Sequence, residues 1–251
     1  MYDLTHFGLS DMTACGARLR HLGKGSRSLQ ETAQRVTSHL YEEFRDPSSG
    51  KHSFVLVRFF KTIRFGSLER LSRESVKARA GGKAPGDQMM CLSLLATVGE
   101  QPAWNSHRLS VHHQAIPLPS EEILAQSPMI ARLMDQFGFD LGVLMQPDPN
   151  LLMDLEQKSY NVFHVPEARN SPYVPDQDDF VIPYRIRSVL GFGGLLPSGG
   201  LFATIVFSRV PIPREVAAMF KPLAMSTKIA ILPFIHGPIF QQRSADVESA
   251  S

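Results

Sequence analysis

Hydrophobic positions along this chain follow two periods, and each period names an element. From Ser28 the apolar residues Leu29, Ala33, Val36, Leu40 and Phe44 recur at steps of three and four, which predicts an amphipathic helix. Ser28 and Glu31 stand in capping-box spacing at its start, and Asp46-Pro47-Ser48-Ser49-Gly50 stops it. Phe54 to Arg64 (FVLVRFFKTIR) is rich in aromatic and β-branched residues and reads as a strand. Met89 to Val98 (MMCLSLLATV) is apolar on both faces, as in a strand at the middle of a sheet covered on each side. Between the two lies a short polar helix at Leu68 to Ala80, closed by Gly81-Gly82.

Beyond it, Gly99 to Pro119 reads as a loop. Ser120 caps a second helix, with Glu121 and Glu122 in its first turn and Ile123, Ile130, Leu133 and Phe137 as its stripe. A short strand is expected at Phe139 to Met145. The stretch Gln146 to Asp179, with Pro147, Pro149, Pro166, Pro172 and Pro175, reads as an irregular connection with one helical turn near Leu151 to Gln157. Connections of that length usually carry function.

The run Ser188 to Ser208 holds no charge and is long enough to cross a membrane as a helix. Its glycines and Pro197-Ser198-Gly199-Gly200 forbid that and predict a β-hairpin instead, with strands Tyr184 to Leu196 and Leu201 to Val210. A final helix runs from Pro213 to about Ala230, kinked at Pro222, and periodicity is lost from Gly237 onward.

Composition narrows the class without naming an activity. The chain has 251 residues, 43% hydrophobic and 20% charged, and can bury a core without staples. Its two cysteines, Cys15 and Cys91, form no CxxC pair, which leaves no disulfide framework or cysteine zinc site. Residues 1 to 83 carry 15 Lys and Arg against 8 Asp and Glu, the remainder 11 against 16. The basic residues are dispersed through periodic segments, so solvated faces are expected rather than nucleic-acid binding. Met1 to Gly16 lacks the basic head and apolar run of a signal peptide, and a cytoplasmic protein with no membrane span is expected.

Enzyme motifs are absent. There is no GxxxxGK loop, GxSxG elbow or HExxH pair, and Gly191-Phe192-Gly193 continues to Leu196 where a dinucleotide fingerprint needs glycine. His107, His112 and His113 offer imidazoles, but adjacent residues on a strand face opposite ways, so His112 and His113 do not readily share a metal. His164 lies between Phe163 and Val165 and faces either a pocket or the core. Trp104 and Tyr184 are candidates to line an apolar ligand site. On a strand from Tyr184, Arg185 and Arg187 would share a face that is solvent or an anion site, with solvent the plainer reading. Asp176, Asp178 and Asp179 suit a cation or a polar turn, and Phe54/Leu56/Arg58/Phe60 and Phe202/Thr204/Val206 read as core sets. The candidate ligand-binding residues are thus Trp104, His112, His113, Phe163, His164 and Tyr184, with no catalytic or metal residue assigned and the cofactor open.

The C-terminal part carries a resemblance. Asp179-Phe180-Val181-Ile182-Pro183-Tyr184, then Val189-Leu190-Gly191-Phe192-Gly193, then Leu201 to Phe207, then Pro213 to Ala230 resembles the end of a GAF domain. The runs Gly193 to Gly199 and Phe207 to Pro213 also resemble input domains of bacterial sensor histidine kinases. The resemblance implies an α+β fold, a GAF/PAS-like antiparallel sheet with flanking helices, as a single domain over 27 to 232, with an N-terminal extension (1 to 26) and a C-terminal tail (233 to 251). It implies a small-molecule pocket between the sheet and the irregular segment, a homodimer through the terminal helices, and a signalling partner such as a histidine kinase of a two-component system. The Asn-Lys-Phe-Asp-Glu signature of cyclic-nucleotide binders is absent and no cysteine sits in a bilin-attachment context, so neither ligand is expected. The expectation is a non-catalytic cytoplasmic sensory module. Its rival is a small enzyme or haem- or metal-binding protein built on Trp104, His112, His113 and His164.

Overall fold

The aromatic and β-branched run read as a strand is one: β1 (Phe54–Arg64) is hydrogen-bonded along both edges, and the run read as an inner strand, 89–98, lies in β2 between β1 and β3. The computed structural model describes residues 1–79, 85–110, 114–118, 128–136 and 161–240. Around β1 lie β2 (Met90–Gly99), β3 (Ala115–Pro117), β4 (Asn161–Val165), β5 (Ser188–Leu195) and β6 (Leu201–Ser208). They form one antiparallel sheet in the order β3-β2-β1-β6-β5-β4, and with its flanking helices the fold is α+β. The uncharged run is the expected hairpin, β5 and β6. Leu196 and Gly200 close its turn at 2.6 Å, and Gly199 takes φ +79°, a conformation that favours glycine.

One face of the sheet carries helices α1 (Leu9–His21), α2 (Leu29–Glu43) and α6 (Phe220–Ile231). Ser28 caps α2 as expected: its Oγ accepts from Glu31 N at 3.2 Å, while the Glu31 carboxylate accepts from Arg27 N at 2.9 Å and pairs with Arg35. Beyond the helix, Asp46 accepts from Ser48 and Ser49, bonds that hold its carboxyl down at about 2. The α2 stripe ends at Phe44, whose ring lies 5.0 Å from Phe54, 5.1 Å from Phe7 and 5.6 Å from Phe220. Residues 1 to 26 contribute α1 to this core, with Leu4, Cys15 and Leu19 fully buried. Burial pushes the Cys15 and Cys91 thiols up to about 12, which makes them inert packing groups.

The last helix is divided into α5 (Arg214–Ala218) and α6, with Met219 between them. Pro222 has no N–H for the Ala218 carbonyl and its ring crowds that turn. Arg214–Phe234 has the length and apolarity of a membrane span, at a mean hydropathy of 1.2, but 56% of its most apolar window is buried within the fold, as in a core helix.

The other face is covered by less regular chain. A 3₁₀ turn (Pro102–Asn105), helix α4 (Pro128–Gln136) and the strap from Pro166 to Arg187 lie there, while α3 (Arg70–Arg79) sits beside β3.

Three expectations need correction. Strands β3 and β4 lie in stretches read as loop and irregular connection, because a strand of three to five residues is too short to show a period. Tyr184 precedes the hairpin rather than belonging to it: β5 begins at Ser188. Phe54 and Leu56 do not share a face, since a register shift between them sends Phe54 to the helical core and Leu56 to the opposite one. The cap at Ser120, the strand at 139–145 and the turn at 151–157 lie outside the described residues.

Lys61, only 6% exposed, donates from Nζ to the Thr62 carbonyl at 3.0 Å, and burial pushes its amine from 10.5 down to about 8. An amine held low in the fold is penalised whenever it is protonated. The penalty is therefore complete below about pH 8 and fades as pH approaches 10.5. Lys61→Met is expected to stabilise the protein at pH 7 by on the order of 1–3 kcal/mol, with the gain vanishing above about pH 10, as read by urea denaturation across pH. Phe44→Ala is expected to cost roughly 3–5 kcal/mol in the same measurement.

Candidate ligand site

Strand register sorts the side chains of the irregularly covered face into rows. The first row runs Gly99, Leu56, Phe207, Val189, Val165, and the second runs Thr97, Arg58, Ile205, Gly191, Phe163. Every described side chain of these rows is apolar except Thr97 and Arg58.

Aromatic side chains cap the first row. Trp104 comes from the 3₁₀ turn, which Asn105 ties to the end of β2: its Oδ1 accepts from Gly99 N at 3.0 Å and its Nδ2 donates to Gly99 O and Gln101 O, each at 3.1 Å. Gly99 leaves room for the indole, since a Cβ there would lie 2.9 Å from Trp104 Cε3 and 2.9 Å from the Val55 carbonyl. From the strap, Tyr184 meets Trp104 at 4.6 Å between ring centroids and Phe180 meets it at 5.5 Å. Phe180 packs in turn edge-on against Phe207 at 5.1 Å.

The strap is positioned from within. Gln177 Nε2 donates to Ala168 O at 3.1 Å and to Val174 O at 2.8 Å, and its Oε1 accepts from Asn170 N at 2.9 Å. Residues Gln177–Val181 form one turn of π-helix, bounded by Asp176 at φ +57°, with Arg185 following at φ +56°. Left-handed backbone at non-glycine residues is strained and persists because the surrounding bonds determine it. Ser188 Oγ anchors the strap to the sheet, donating to Pro166 O at 2.9 Å and accepting from Ile212 N at 3.0 Å.

Arg58 has no such support. Its Nε is sealed from solvent without a hydrogen-bond partner among the described residues, and Thr97 Oγ1, directly across β1 and β2 from it, is in the same condition. Burial pushes the guanidinium down to about 10, and Asp176 opposes that shift through space. Beside the strap lies an open cleft of about 700 Å³ lined by Glu167, Arg169, Asn170, Arg185 and Arg187 together with Val181 and Ile186, which also belong to the core of this face.

Of the residues singled out from sequence, Trp104 and Tyr184 come together, and Phe163 is buried on the same face in the second row. His164 lies on the opposite face beside the start of α5, where burial holds it below its usual value while the Ile212 backbone and Arg214 act on it in opposing senses. His112 and His113 lie outside the described residues. His107 pairs with Glu69 at 3.1 Å and also reaches Gln30, so it ties the loop to its neighbours. Arg185 and Arg187 are exposed and both line the cleft, but they do not share a strand face, since β5 begins at Ser188 and Arg185 is left-handed. Among the described residues, no three His, Cys, Asp or Glu side chains converge as metal ligands, Asp176, Asp178 and Asp179 included. Arg58 and Thr97 were the residues sequence reasoning passed over as ligand groups. The available signal was one guanidinium inside an otherwise apolar strand, FVLVRFF.

No family model matches the chain, and no curated protein matches its sequence.

Gly99→Ala is expected to displace the Trp104 ring, cost about 1–3 kcal/mol and shift tryptophan emission to the red. Fluorescence joined to urea titration reads both effects, and an unchanged spectrum with unchanged stability would contradict the packing described.

Proposed function

We propose that this chain is a GAF-like sensory module of a cytoplasmic bacterial signalling system. It binds a small molecule on the irregularly covered face of its sheet and passes the binding event through the helical face to a dimer partner and an output such as a histidine kinase. The observation that carries this reading is the unlikeness of the two faces. One is a closed helical layer. The other is an aromatic cluster on a pinned strap, above a row in which Arg58 Nε and the Thr97 hydroxyl are sealed from solvent with no hydrogen-bond partner among the described residues. A sheet only one strand thick joins them, so a ligand that shifts the strap acts on strands whose other surface supports α1, α2 and α6.

The outer side of the helical layer supports the dimer. Leu9 of α1 and Met225 and Ile229 of α6 are exposed at 67%, 43% and 39%, and Met225 and Ile229 are one turn apart. Of the residues of the rival reading, an enzyme or haem or metal site built on Trp104, His112, His113 and His164, Trp104 and His164 lie on opposite sides of the sheet, and His112 and His113 lie outside the described residues.

Native mass spectrometry of the purified full chain tests the proposal. A dimer is expected, and Ile229→Glu should yield a monomer with an unchanged thermal midpoint. A monomeric wild-type protein overturns the signalling reading, and a Soret band in its absorption spectrum would restore the rival.

A further inference from the structure

The rows beneath the strap have a chemical preference written into them. Arg58 carries a permanent charge in a place where its neighbours along and across the strands are Leu56, Phe60, Ile205 and Thr97. Guanidinium groups in such settings are ordinarily matched by a carboxylate, because an unpaired buried charge is unfavourable and a planar fork fits two oxygens. Arg58 is partly exposed, its Nε is sealed without a hydrogen-bond partner, and among the described residues it forms no ion pair; the carboxylate that acts on it, Asp176, does so through space from the strained start of the π-helical turn. Thr97 adds a second unsatisfied polar group at the paired position on β2. Gly191, in the same row, places no side chain on this face, and Trp104, Phe180 and Tyr184 supply ring surfaces one row away.

We infer that the ligand of this site is a small organic anion, with a carboxylate or phosphate group received by Arg58 and Thr97 and a flat apolar body received by the Trp104, Phe180 and Tyr184 rings. The oxygens of such an anion accept from the guanidinium in fork geometry and from the Thr97 hydroxyl, and the ligand's body remains in contact with apolar surface. The cleft beside the strap has Arg169, Arg185 and Arg187 on its walls with Glu167, but the strap also carries Asp176, Asp178 and Asp179, so the preference for an anion rests on Arg58 and Thr97 rather than on the cleft. The inference rests on the sensory reading for the location of the site and goes beyond it in naming the ligand's class.

Trp104 is the sole tryptophan of the chain, so its emission reports this site alone. The experiment titrates the full chain with benzoate, phenyl phosphate and the uncharged benzamide, and compares wild type with Arg58→Met and Thr97→Val. Wild type is expected to bind benzoate or phenyl phosphate at least about tenfold more tightly than benzamide, and the stronger of the two distinguishes carboxylate from phosphate. Arg58→Met is expected to abolish that preference while leaving the thermal midpoint equal or higher, since it removes an unpaired charge. Thr97→Val should weaken the anion several-fold and leave benzamide unaffected. If wild type binds benzamide as well as the anions, or binds none of the three, or if Arg58→Met keeps the preference, the inference is overturned. A lower midpoint with equal loss of every probe would make Arg58 a structural residue and also overturn it. Failure of the sensory reading is separately visible: a monomer that binds benzoate through Arg58 sinks the signalling role and keeps the anion site, whereas a dimer that retains a neutral compound in the native mass spectrum does the reverse.

Discussion

The whole architecture depends on burying β1 from both sides. Val57, Phe59 and Ile63 belong to the core under the helices, while Val55, Leu56 and Phe60 belong to the core under the strap. A strand with two apolar faces is stable only when both are covered, so the chain must supply two layers of unlike material around one sheet. The helical layer does this with α1, α2 and α6 meeting at the Phe44 aromatic cluster. On the reverse side short elements and the strap close over the aromatic rows. Interruptions in β1 are accordingly few and each is specific: Lys61 lies toward the helical side and spends its amine on its own chain, whereas Arg58 lies toward the strap and spends its guanidinium on nothing within the described residues.

The two coverings differ in what they allow. Helices packed through interlocking apolar side chains hold one arrangement and present a continuous outer surface, which suits an interface. The strap is held by local polar bonds, those of Gln177 and Ser188 above all, and by strained residues such as Asp176 and Arg185. Polar anchoring of that kind sets the position of Phe180 and Tyr184, and it brings chain segments 80 residues apart, Trp104 and Tyr184, to one point. A proposed ligand would therefore meet a surface made by the strap and the sheet together, and would bias the fit between them.

Much of this was legible before any coordinates. The Ser28 cap and stripe of α2, the limits of β1, the two-faced apolarity of β2 and the glycine-punctuated hairpin are local patterns, decided by residues within a few positions of one another. Where the pattern was too short or was overruled, it misled. β4 is five residues set among prolines and exists because β5 offers it an edge to pair with. Tyr184 reads as strand by its neighbours, yet the π-helical turn and the left-handed Arg185 keep it outside the hairpin and turn it to Trp104. Phe54 and Leu56 keep a period of two in the sequence, and one register shift parts them.

The sequence by itself determined the class of fold, because burial of alternating and helical stripes is a property of local order and needs no knowledge of what lies opposite. It also determined that Trp104, in a stretch that reads as loop, and Tyr184, at the start of a stretch that reads as strand, deserve notice as large amphipathic rings. Only the tertiary structure decided that those two meet, that Phe163 shares their face while His164 turns away, and that Arg58 Nε is sealed on this face with no partner among the described residues. The reason is physical: which side of a sheet a residue occupies depends on bulges and pairing between segments far apart in the chain, and whether a charge is satisfied depends on every element packed around it.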